Sequence, residues 1–126
     1  MLTRCLLVLA GGGVGSLARY LATLGVNEHY DGRFPLATFL INVTGSFIIG
    51  LLTVILDRED LLHPNLRPLL VTGFLGGYTT FSTFSLESIL LIERNQIGHA
   101  LAYVGGSVLL GILALWAGLS LVRSLT

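Results

Sequence analysis

The sequence predicts an all-α membrane protein, a single domain of four transmembrane helices with a break in the third. Two observations carry this reading. Of 126 residues, 53% are hydrophobic and only 11% charged, whereas about a quarter of the residues in a soluble domain carry charge. Four stretches, Leu2 to Leu24, Leu36 to Leu56, Leu66 to Ile92 and Ile97 to Val122, reach the roughly 20 apolar residues that a helix needs to cross the hydrocarbon core. The connections between them are too short to build a soluble catalytic domain with its own core. Any function is therefore built from the spans, which occupy residues 1–126 as one domain.

The first span begins with Arg4 and the apolar run Cys5 to Ala10, a pattern that a secretory signal shares. The stretch continues to Leu24, however, and cleavage would remove a whole span, so it is counted as the first helix. Polar residues from Asn27 to Arg33 mark its end, and Pro35 suits the first turn of the second helix. Asp57, Arg58, Glu59, Asp60, His63, Pro64 and Asn65 form the second connection, and Glu93 to Gln96 the third. Net charge is zero, with no lysine, so nothing points to nucleic acid as a partner. Cys5 is alone and makes no intrachain disulfide.

Arginines normally report orientation, because flanking positive charge favours the cytoplasm. With the N-terminus inside, Arg4, Arg58, Arg67 and Arg123 lie on that side, and Arg19, Arg33 and Arg94 lie on or near the other. So even a balance fits a protein that inserts both ways, and equally a short protein with too few loops to show its bias. Insertion in both orientations would let two copies meet antiparallel about a twofold axis in the membrane plane. Four short helices are also a poor container for a pore, which again favours a homodimer.

Small residues four apart mark faces where helices in lipid approach closely. Gly11 and Gly15 form such a face on the first span, and Gly73 and Gly77 on the third; these read as packing surfaces. Asn42, Ser46 and Gly50 share a stripe on the second span, as do Tyr103, Ser107 and Gly111 on the fourth. Ser46 and Ser107 can bond back to their own helices. An amide or phenol in hydrocarbon needs a partner. Asn42 and Tyr103 are thus either interhelical glue or part of a polar line serving a permeating species.

The third span carries GFLGGYTTFSTFSLE, Gly73 to Glu87. Gly76 and Gly77 permit non-helical angles, and the threonines after them favour helix caps. A break at Gly76 to Thr80 is expected, the alternative being a kink in an intact helix. Freed backbone at membrane depth is tolerated only where it is buried in protein or lines a cavity, and exposed carbonyls there can coordinate a small cation. Phe81 and Phe84 share one helical face, with Thr80, Thr83 and Glu87 beside it. Taken alone the phenylalanines read as core or lipid-facing residues, although the positive edges of two rings can also meet an anion. Glu87 is the acid placed within a span, either near a pathway or snorkelling toward the third connection. Arg19 likewise either snorkels to the interface or draws anions into a vestibule.

The runs GFLGGYTTFSTFSLE, FLINVTGSFIIG and GGGVGSLARY together resemble the Fluc (CrcB) fluoride channels, and the likeness covers the whole chain. The resemblance implies a dual-topology antiparallel homodimer of the plasma (inner) membrane with two pores. Such a protein exports fluoride passively and holds a structural sodium ion at its centre. It further implies that Phe81 and Phe84 line the fluoride path with Asn42 beside them. Thr83, Tyr103 and Ser107 would extend a polar track, Glu87 would sit near one end, and Arg19 at the vestibule. Gly76 and Thr79 would offer main-chain carbonyls to the sodium. Gly111 stands where some members carry a further hydroxyl, which shortens the track. The main rival is a small multidrug exporter, also a four-helix dual-topology dimer, but that class relies on an acid in its first span, and this first span has Arg19 instead. A subunit that only packs against partners would leave the asparagine stripe and the interrupted span without a purpose.

Overall fold

The computed structural model describes residues 1–58 and 63–126; Glu59 and Asp60 of the second connection lie outside the described residues. All regular secondary structure among the described residues is helical, with no strand. In order they form α1 (Leu2–His29), α2 (Leu36–Arg58), a π-helix (Pro68–Leu75), the single turn α3 (Gly76–Tyr78), α4 (Phe81–Glu93) and α5 (Ile97–Leu125). Of these α1, α2 and α5 are long and apolar enough to cross a membrane.

Element ends depart from the ends of the apolar stretches. α1 runs past Leu24 through Asn27 and Glu28 to His29, because backbone hydrogen bonds continue whether the side chains face lipid or water. The helix stops at Tyr30, whose backbone is extended (φ −140°, ψ 119°). The region from Leu66 to Ile92 is divided among three helical pieces. Its longest, the 13 residues of α4, spans about 20 Å at 1.5 Å per residue. Pro68 opens the π-helix, where its missing N–H is not needed. At the other end Gly76 N–H bonds the carbonyls of Val71 and Gly73, the first being the wide i to i+5 closure of a π-turn. Arg67 pairs with Asp57 across the second connection, both side chains exposed.

Two seams organise the packing, one between α1 and the π-helix and one between α2 and α5. Glycine makes both possible. A Cβ on Gly11 would overlap the Leu69 carbonyl oxygen, and one on Gly15 that of Phe74. Across the other seam Gly50 meets the Leu115 carbonyl and Gly118 that of Phe47 with the same lack of room. Backbones in such direct contact gain dispersion energy that lipid cannot replace. The residues fully buried are few, Leu75 and Tyr103 being the largest. Outward faces are apolar, including Leu17, Tyr20 and Leu21 on α1 and Leu109, Ile112 and Trp116 on α5. That surface suits hydrocarbon as its solvent.

Candidate functional site

Between Tyr78 and Phe81 the chain leaves the helical region for two residues, Thr79 (φ −80°, ψ 156°) and Thr80 (φ −151°, ψ 120°). Gly76, by contrast, is helical, with φ −64° and ψ −35°. Threonine hydroxyls replace the lost ladder. Thr79 sends both its N–H and its hydroxyl to the Leu75 carbonyl, at 2.9 and 2.8 Å, and Thr80 caps α4 by accepting from Thr83 N–H at 3.2 Å. The rest comes from α2. Thr80 N–H donates to Asn42 Oδ1 at 2.8 Å, and Asn42 Nδ2 donates to the Thr80 carbonyl at 3.0 Å.

These diversions decide which carbonyls are left for other partners. In a continuous helix the Thr80 amide would close on the Gly76 carbonyl and the Thr83 amide on that of Thr79. The first goes to Asn42 instead and the second to the Thr80 hydroxyl. Gly76 and Thr79 thus keep neutral oxygens released from their helical donors, a donor set of the kind that replaces a small cation's water.

A cleft of about 270 Å³ opens beside the interruption, lined by Asn42, Ser46, Ile49, Thr79, Thr80, Phe81, Phe84, Ser107 and Val108. Its lining holds no charged side chain. The rings of Phe81 and Phe84 lie 5.7 Å apart at 42°, Phe81 being 79% exposed. Ser46 bonds back to the Asn42 carbonyl at 2.7 Å. Ser107 does not follow suit: its Oγ is buried and finds no partner among the described residues. Buried hydroxyls are almost always satisfied, and this one is left free to take a further partner.

A second cavity of about 260 Å³ takes in Ser16, Arg19, Tyr20, Thr23, Thr38, Thr80, Thr83 and Glu87. Thr80 lines both. A third, of about 240 Å³, shares Thr23, Thr38 and Glu87 with the second and adds Asn27, Tyr30 and Arg33. Glu87 is anchored between helices, one carboxylate oxygen accepting from Thr38 Oγ1 at 2.6 Å and the other from Tyr103 OH at 3.2 Å. Arg19 is half-buried and makes no ion pair among the described residues.

The structure therefore brings Asn42, Phe81, Phe84, Thr79 and Ser107 to one cleft, and Arg19, Thr83 and Glu87 to the next. Tyr103 joins neither. It is wholly buried, its ring 5.2 Å from that of Phe84 and 5.5 Å from that of Phe34, and it reaches Glu87 rather than a cavity. Sequence reasoning passed over Thr38, although it stands four residues before Asn42 and extends the stripe of Asn42, Ser46 and Gly50 by one turn. It set Thr80 in the break and beside the phenylalanines but not among the residues of the ion path.

Helices with lipid-suited faces, a two-residue gap in the helical path and an uncharged, largely apolar cleft that holds a few polar side chains define a helical membrane protein. The CrcB-like protein, Camphor Resistance (CrcB) family matches residues 6–119, and the chain belongs to that family. Among its relatives, the fluoride-specific ion channel FluC of Rhizobium meliloti is 48% identical over 120 residues, covering 95% of this chain and 96% of that protein. The FluC of Flavobacterium psychrophilum is 45% identical over 118 residues, 94% and 95% of the two chains. That of Acidobacterium capsulatum is 47% identical over 112 residues, 89% and 90%.

Proposed function

We propose that this chain is a fluoride-selective ion channel and not an enzyme, exporting fluoride passively across the plasma membrane. The observation that carries the reading within the molecule is the orphaned Ser107 hydroxyl on the same cleft as Phe81 and Phe84. The names of the FluC relatives supply the identity of the ion. Fluoride is small and strongly hydrated, so donors must replace its water before it can cross. Ser107 offers one, and the positive edges of Phe81 and Phe84 add weaker attraction. With no cationic side chain in the cleft lining the ion is stabilised but not trapped. Arg19 lines the adjoining cavity with Thr83 and Glu87 and offers a positive charge there, opposed by the Glu87 carboxylate. The membrane potential supplies the drive: one charge across 100 mV is worth about 2.3 kcal/mol, a gradient of roughly 50-fold.

In this reading the chain crosses the bilayer four times, the third crossing being the π-helix, α3 and α4 taken together. Two copies pair antiparallel in dual topology, which covers the exposed Phe81 face and completes the walls of two conduits. The Gly76 and Thr79 carbonyls of each copy would hold a sodium ion between the two copies. Such an ion would supply positive charge to the carbonyl oxygens freed at the two interruptions.

Purified protein in liposomes tests the function. Fluoride should leave rapidly under a potassium and valinomycin potential, chloride should be retained, and a proton gradient should make no difference. Proton-coupled efflux of an organic cation without fluoride flux would replace the channel reading with that of an exporter.

A further inference from the structure

Asn42 is half-buried on α2, and both ends of its carboxamide bond to a single residue. Thr80 N–H meets Oδ1 and the Thr80 carbonyl meets Nδ2, at 2.8 and 3.0 Å. Two residues on neighbouring antiparallel strands exchange bonds in this way. Here a side chain provides the exchange, because a carboxamide carries one acceptor and one donor group, as a peptide unit does. An ionised aspartate could only accept, and a serine would be too short to span both groups. The amide's orientation follows from chemistry, since the Thr80 N–H can face only an acceptor. Gly45, one turn along the same face of α2, permits the approach: a Cβ there would overlap Thr79 Cγ2.

The position of this pair gives it leverage. Thr80 is the cap of α4, Phe81 is the first residue of that helix, and Phe84 lies one turn further on. The same bond withdraws the Thr80 amide from the Gly76 carbonyl. We infer that Asn42 is a positioning residue: it holds Thr79 and Thr80 extended, and through them sets the Phe81 and Phe84 rings and frees the Gly76 oxygen. Its carboxamide acts on the backbone of the interruption before it acts on any ion. The functional consequence rests on the channel reading, whereas the clamp itself does not.

The test uses the full chain, with hydrogen exchange in detergent and fluoride efflux from liposomes. Asn42→Ala should speed exchange of the Thr80 amide at least tenfold while the amides of α1 and α5 keep their protection. Efflux should fall about tenfold or more, and the double variant with Phe84→Ile should lose little beyond the weaker single variant, because both changes disturb the same rings. Unchanged Thr80 exchange would overturn the inference. Faster exchange with multiplicative flux losses would overturn it too, by making Asn42 an independent ion ligand. Should Asn42→Ala fail to fold, Asn42→Ser adds no charge to the cleft and is too short to span both Thr80 groups. That variant is read by hydrogen exchange at Thr80, where faster exchange supports positioning and unchanged exchange refutes it. Vesicles of the unaltered protein that pass no fluoride would defeat the channel reading, leaving exchange at Thr80 to decide the clamp.

Discussion

Replacing Ser107 by alanine should move stability and transport in opposite directions. The hydroxyl is buried without a partner among the described residues, and burying such a group costs about 1–3 kcal/mol. Ser107→Ala deletes it while keeping the Cβ, so the variant should be as stable as the parent or more stable, by about 1 kcal/mol. Transport should suffer, because a hydrogen bond to a charged species contributes about 1.5–3 kcal/mol. At 1.4 kcal/mol per decade that is a loss of roughly 10- to 100-fold in fluoride flux. Thermal unfolding in detergent reads the first quantity, and a fluoride electrode outside loaded vesicles reads the second. A variant that is destabilised by more than about 1 kcal/mol, or that carries fluoride at the parent rate, would refute the idea that this hydroxyl waits for an ion.

Phe84→Ile should lower fluoride efflux by tenfold or more, while size-exclusion chromatography shows the oligomer unchanged; normal efflux would return the ring to a packing role against Tyr103. Thr38→Val removes the 2.6 Å donor to Glu87 and should cost about 1.5–3 kcal/mol of stability, seen as earlier thermal aggregation. Gly15→Ala places a methyl against the Phe74 carbonyl and should cost about 1–3 kcal/mol through overpacking, with a fall in monodisperse yield. Exchanging sodium for N-methylglucamine should lower the unfolding temperature, since a ligand at 100 times its Kd contributes about 2.7 kcal/mol; an unfolding curve indifferent to sodium would remove the cation from the account.

Much of this was legible in the amino acids because it depends on spacing alone. Gly11 and Gly15, four residues apart, form a contact face wherever the helix lies, and the seam with the π-helix is the result. Phe81 and Phe84 likewise share a face by periodicity and meet at the cleft. The details that escaped depend on which neighbour fills a position. Tyr103 and Ser107 are also four apart, yet Phe34 and Phe84 close around the first while the second opens on a cavity. Thr38 looks like an ordinary threonine until Glu87 is brought opposite it from 49 residues away. The gap in the helical path fell on Thr79 and Thr80 rather than on the glycines, because the hydroxyls and Asn42 supply replacement bonds there, and extended angles need no glycine.

The glycine seams also bear on how such a protein can move. Where backbone rests on backbone, as at Gly15 against Phe74 and Gly118 against Phe47, there is no layer of pliable side chains to absorb a shift between helices. α1 and the π-helix rest backbone on backbone in one pair, α2 and α5 in another. The Phe81 ring, exposed at the joint between them, is under no such constraint. Selectivity in such a body is a property of a fixed frame with small moving parts, set when the chain folds and not adjusted with each passing ion.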